Sequence, residues 1–132
     1  MEGTSSMSGM IVTGLIGVAG ALGALARCLL GRFVAERASS PFPFGTLLIN
    51  ISGALGIGLL FSLAERHIIS SVAQSVLATG FLGGYTTFST MCWESVQLLR
   101  GGNYGTSLLY LTISFSLGLL LVLLGYALGW II

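Results

Sequence analysis

"GFLGGYTTFSTM", residues 80–91, interrupts a run of sequence that would otherwise build one apolar helix. Three glycines, three threonines and a serine fall within it, and both flanks are greasy. Glycine weakens a helix interior because it loses so much backbone freedom there, and hydroxyl side chains compete for backbone hydrogen bonds. Whether a chain can accept such a break depends on the solvent around it.

The solvent follows from composition. Of 132 residues, 55% are hydrophobic and 7% charged, against about a quarter charged in a soluble domain. The charges are Glu2, Arg27, Arg32, Glu36, Arg37, Glu65, Arg66, Glu94 and Arg100. Between them run uncharged stretches at 3–26, 38–64, 67–93 and 101–132, each longer than the ~20 residues a helix needs to cross a bilayer. A soluble bundle would need a charged face on every helix, and none is available. The expected fold class is therefore an all-α membrane protein, a single four-span transmembrane domain over residues 1–132. The spans are Met10–Val34, Phe44–Ala64, Ser71–Leu99 and Tyr104–Ile131.

Several function classes are disfavoured on the same grounds. The N-terminus lacks the basic segment of a signal peptide. A net charge of +1 without a basic cluster gives no footprint for nucleic acid. Cys28 and Cys92 fall within spans without metal-ligand company, and His67 stands alone at a membrane edge, so neither a metal centre nor an enzyme is expected. The links, 36–43 with both prolines, 65–70, and 100–103 with Gly-Gly, are too short for an extramembrane domain. If the spans alternate, Arg32, Arg37 and Arg100 share one side and Arg66 the other, so insertion both ways round is credible.

Small residues one turn apart, Gly20 with Ala24, Ser52 with Gly56 and Gly125 with Gly129, mark helix contacts, with contacts between copies of the chain among those expected. Polar groups inside the spans need protein or water around them. Among these are Arg27, Glu94, Asn50 at ~10 Å into span two, and Thr106, Tyr110 and Ser114 on one face of span four. A single Ser or Thr often only bonds back to its own helix, but an aligned row beside Asn50 reads as a polar pathway.

A break at residues 80–90 leaves half-helices near 71–79 and 91–99 that meet at mid-bilayer. Irregular backbone is tolerated there only where protein, water or an ion satisfies it. The first half offers carbonyls near Gly83 to Thr86, suited to a small cation; the second offers amides near Thr87 to Thr90. Phe88 and Met91 are i, i+3 neighbours, and an aromatic edge can meet an anion.

"GGYTTFSTM" with Glu94, together with "GALARCLLGR" and "FGTLLINISGALGIG", resembles the signature of the Fluc (CrcB) fluoride channels across the whole chain. The resemblance implies an antiparallel, dual-topology homodimer with two narrow fluoride pores, set in the plasma membrane of a microbe and protecting it by venting fluoride. It implies that Asn50 donates its amide to fluoride, and that Phe88 and the position three further on supply facing aromatic edges. It implies a central structural Na+ on the backbone carbonyls of Gly83 and Thr86. Arg27 and Glu94 match positions near the pore mouths, and Tyr110 and Ser114 a hydroxyl track. Met91 stands where the family most often has a second Phe, so a paired homologous chain is an alternative to a second copy. Fluoride is small, strongly hydrated and an avid acceptor, so a close series of donors such as Asn50, Thr87, Ser89, Thr90, Tyr110 and Ser114 suits it, and several weak sites keep an ion moving. The competing expectation is a small multidrug-resistance type, proton-coupled exporter. It needs a carboxylate in span one, where this chain has Arg27 and no acid at all.

Overall fold

The computed structural model describes residues 2–132, with side chains from Met7 onward, and all regular structure in that range is helical. Three helices are long and apolar enough to cross a membrane: α1 (Glu2–Ala35), α2 (Phe44–Glu65) and α6 (Tyr104–Ile131). Between α2 and α6 the chain is helical in pieces. A short α3 (Ser71–Gln74) runs into a π-helical segment (Ser75–Leu82) and then α4 (Gly83–Tyr85); after Thr86 and Thr87 comes α5 (Phe88–Arg100).

Polarity is inverted relative to a water-soluble fold. The buried residues include Thr46, Ser62, Thr87, Ser95, Ser107 and Ser114, while Leu, Ile, Phe and Trp side chains cover the outside of every long helix. In water such apolar cover would drive aggregation; in hydrocarbon it is the expected exterior, and the hydroxyls turn inward to find partners. The chain is a multi-pass, all-α membrane protein.

Turn chemistry sets the ends. Pro43 precedes α2 and offers its carbonyl to Leu47 N at 3.1 Å, a role that needs no N–H from proline itself. Two helices close in the same way, with the chain turning left-handed just past the cap. After α2 the left-handed residue is His67 (φ 56), with Ile68 N bonding to Leu63 O at 2.9 Å; after α5 it is Gly102 (φ 77), with Asn103 N bonding to Leu98 O at 2.9 Å.

Glycines decide which helices touch. α2 lies along α6, and α1 lies along the 71–85 half. A side chain at Gly58 would overlap the Val122 carbonyl, and one at Gly125 the Leu55 carbonyl, so α2 and α6 approach backbone to backbone. Gly23 and Gly84 perform the same service between α1 and the third segment, against Phe81 and Gly20 respectively. The 125/129 pair expected from sequence is thus a real contact face. On α2, however, the tight positions facing α6 are Gly58 and Ser62, and Ser52 instead bonds the Tyr85 hydroxyl at 2.9 Å. At the far end of this interface Arg66 donates to the Gly129 carbonyl and lies over the Trp130 ring at 5.9 Å, while Tyr126 donates to Glu65 Oε2 at 2.6 Å.

Ser62 is fully buried where Gly129 crosses it, and among the described residues its hydroxyl has no partner. An unmet buried hydroxyl costs about 1–3 kcal/mol. Ser62→Ala should therefore keep the fold and raise thermal stability in detergent by a few degrees; a lowered melting temperature would show that the hydroxyl is satisfied after all.

The break is the main correction to the sequence reading. It is two residues long, Thr86 (ψ 160) and Thr87 (φ −149, ψ 120), both extended, rather than the stretch 80–90. The half-helices therefore reach to Tyr85 and start again at Phe88, instead of stopping at 79 and resuming at 91. The physical reason is that Gly80, Gly83 and Gly84 stay helical. Gly80 and Gly84 are small because Ile16 and Gly20 of α1 press on them, not because the backbone must bend there.

Candidate functional site

At the break, the helical hydrogen-bond ladder is replaced by one side chain. Asn50, in the middle of α2, donates from Nδ2 to the Thr87 carbonyl at 2.9 Å and accepts the Thr87 amide on Oδ1 at 2.8 Å. A primary amide presents donor and acceptor side by side, so it can pair with both backbone groups of one extended residue. Thr87 then caps α5: its Oγ1 accepts from Thr90 N at 3.2 Å and bonds the Thr90 hydroxyl at 2.9 Å. On the other side, Thr86 N and Thr86 Oγ1 both turn back to the Leu82 carbonyl, at 3.0 and 2.9 Å. Arg27 of α1 reaches the Thr86 carbonyl at 3.3 Å.

Two cavities flank this point, and Thr87 lines both. The larger, about 600 Å³, is lined by Arg27, Arg32, Thr46, Thr90 and Glu94 and roofed by the 36–43 link. The smaller, about 390 Å³, is a groove lined by Asn50, Gly83, Thr86, Phe88, Met91 and Ser114 among mostly apolar neighbours. Phe88 is 68% exposed on the open side, whereas Met91 is only 5% exposed and packs with Leu98 and Tyr110. The i, i+3 pair therefore shares a groove but not an environment.

In the wall of the larger cavity the carboxylate of Glu94 accepts two hydroxyls, Thr46 Oγ1 on Oε1 at 2.8 Å and Tyr110 on Oε2 at 2.8 Å. Tyr110 is completely buried. Ser114 bonds back to the Tyr110 carbonyl at 2.7 Å, the self-satisfied state common for a helical serine. The interior hydroxyl row of α6 is Ser107, Tyr110 and Ser114; Thr106 is half-buried, and Ser107 takes the place inside. Ser107 pairs with Ser95 of α5, Oγ to Oγ at 2.7 Å, and its hydroxyl also reaches the Ser95 carbonyl at 3.1 Å.

Of the residues singled out from sequence, Asn50, Thr87, Phe88, Met91, Ser114, Gly83 and Thr86 meet at the groove, and Arg27, Thr90 and Glu94 at the larger cavity. Ser89 lines neither, lying exposed 3.5 Å from the Thr87 hydroxyl, and Tyr110 lies behind the two, bonded to Glu94 and packed with Met91. Thr46, Ser95 and Ser107 were not foreseen. Thr46 was within reach, since it lies one turn before Asn50 on the same face of α2.

A helical membrane protein whose interrupted helix separates a charged cavity from a narrow groove, with backbone groups held open by a single amide, has the build of an ion-conducting protein. Comparison with known sequences gives the family. Residues 14–126 match the profile described as CrcB-like protein, Camphor Resistance (CrcB). A relative from Thermus thermophilus is 45% identical over 115 residues, 87% of this chain and 91% of that protein. One from Bacteroides fragilis is 45% identical (85% and 91%), and one from Acidobacterium capsulatum 41% (86% and 92%). Each of these three relatives is named a fluoride-specific ion channel, FluC. The chain belongs to the CrcB-like family.

Proposed function

We propose that this protein is a fluoride-selective channel that passively exports fluoride from a microbial cytoplasm. It crosses the plasma membrane four times and works as an antiparallel pair, of two copies or of one copy with a homologous chain, containing two pores. The observation that supports this most is the clasp between Asn50 and Thr87 at the joint of the two cavities, in a chain whose relatives are named for fluoride. Asn50 Nδ2 has two N–H donors and Thr87 O takes one, so the second is available to an ion in the groove. Fluoride, an intense acceptor, gains more from such a donor than chloride does. Phe88 offers a ring edge beside it, and the exposed ring suits a surface that a second chain covers. Arg27 supplies attraction in the larger cavity, with Glu94, Thr90 and the Thr87 hydroxyl along the way.

A sodium ion between the two chains fits the helix end. Thr86 N returns to Leu82 O and Thr87 N goes to Asn50, so among the described residues no amide of the next turn reaches the Gly83 carbonyl, which belongs to an exposed residue. The Thr86 carbonyl retains a lone pair beside its bond from Arg27. Bare carbonyls at the negative end of a helix suit a monovalent cation, which would supply a fixed positive charge between the pores.

Liposomes containing the purified protein and loaded with fluoride should empty it within seconds, faster than protein-free vesicles by a wide margin, and hold chloride. The rate should not follow a proton gradient. Chloride release, or uptake of a cationic drug driven by protons, would refute the proposal.

A further inference from the structure

The link between α1 and α2 holds Phe42 between Pro41 and Pro43. Prolines fix φ and stiffen the segment. Two short bonds hold it further, Phe42 N to Ser40 Oγ at 3.2 Å and Phe44 N to the Phe42 carbonyl at 2.8 Å. The Phe42 ring is thereby delivered edge-on to the ring of Tyr110, centroids 5.6 Å apart and planes at 81°, with the Phe44 ring centroid 4.7 Å from its own. It also packs on the buried group formed by Met91, Leu98 and Tyr110. From Tyr110 the contact passes through the hydroxyl to Glu94, whose second oxygen is held by Thr46. A stiff external link is thus joined, ring to ring to hydroxyl, to the carboxylate that shares a cavity with Arg27.

Building on the fluoride-channel reading, we propose that Phe42 is a positioning residue for the ion pathway. By bracing the Tyr110 ring it keeps Glu94 tied between two hydroxyls and prevents its negative charge from swinging toward Arg27. A carboxylate released into that cavity would neutralise the arginine and repel an arriving anion. Ala38, Ser40 and Pro41 line the roof of the larger cavity beside it.

The test is fluoride efflux from liposomes holding the full chain with Phe42→Ala, Phe42→Leu, Tyr110→Phe, or Phe42→Ala combined with Tyr110→Phe. Phe42→Ala should slow efflux about tenfold and Phe42→Leu, which keeps bulk without a ring edge, about threefold. Because both positions act through one carboxylate, the combined variant should be no slower than its slower parent, the signature of coupled residues. A residue that only stabilises the fold would instead give multiplying losses tracking the melting temperature, and that result overturns the proposal, as does parental efflux in both Phe42 variants. Should Phe42→Ala yield no folded protein, the Leu variant decides. An unmodified protein that releases no fluoride removes the channel reading itself, an outcome separate from active parent and insensitive variants.

Discussion

Asn50→Ala reduces fluoride efflux by about a hundredfold, the rate equivalent of ~2.7 kcal/mol, while the protein still elutes as a folded species in detergent. The expectation rests on the double bond to Thr87. Removing the amide strands one buried donor and one buried acceptor at a depth with little water, at about 1–3 kcal/mol for each. The chain can relieve that cost by winding residues 86–87 back toward helix, which moves the Thr87 hydroxyl and the start of α5 away from both cavities. Asn50→Asp separates geometry from chemistry. Its shape is conserved, yet a carboxylate meets the Thr87 carbonyl without a hydrogen to offer and adds a negative charge beside an anion's route, so it should be as inactive as alanine. Normal efflux from either variant would mean that the clasp plays no part in conduction.

A second large effect is expected at the α2–α6 seam. Gly125→Leu introduces a branched side chain where even a methyl would overlap the Leu55 carbonyl. Lipid supplies no hydrophobic force to push the helices together, so close backbone approach is itself the source of affinity, and parting them forfeits it. The variant should fail to accumulate as a monodisperse protein in detergent. Gly105→Ala, near the start of the same helix and with nothing within 4 Å of an added carbon, serves as control; it should melt no lower than the parent, since alanine is the better helix former by about 1 kcal/mol. Comparable yields from Gly125→Leu and the control would refute the packing account.

What could be read in the residues divides along physical lines. Chain length between charges reports on the surrounding medium directly, because each residue's transfer into lipid is a local property; hence α2, α6 and the interrupted stretch stand where composition put them, while α1 begins ahead of the expected Met10, at Glu2. The site of interruption was displaced because glycine answers two needs, freedom and smallness, that look alike in one dimension. Only the presence of α1 against Gly80 and Gly84 tells which is in force. Thr87 could open because a residue 37 positions away supplies its partner, and no local pattern reports a bond of that span. For the same reason Asn50 was recognised as important while its grip on Thr87 was not. The differing fates of Phe88 and Met91, one exposed and one buried, likewise depend on where α6 lies, not on their spacing. Thr46 is the instructive omission: one turn from Asn50, it needed only the periodicity already in use.

The wide-turned segment at Ser75–Leu82 has a consequence of its own. A backbone wound at more residues per turn than the usual 3.6 delays the rotation of everything downstream. The compass bearing at which Thr86 and Thr87 emerge opposite Asn50 is therefore fixed upstream, by how many residues are spooled into those turns. Trimming a single one of them, with every named side chain left intact, would swivel the threonines by somewhat less than the ~100° of an α-helical residue and carry Thr87 out of reach of the Asn50 amide: here a count of links, as much as their chemistry, aims the opening.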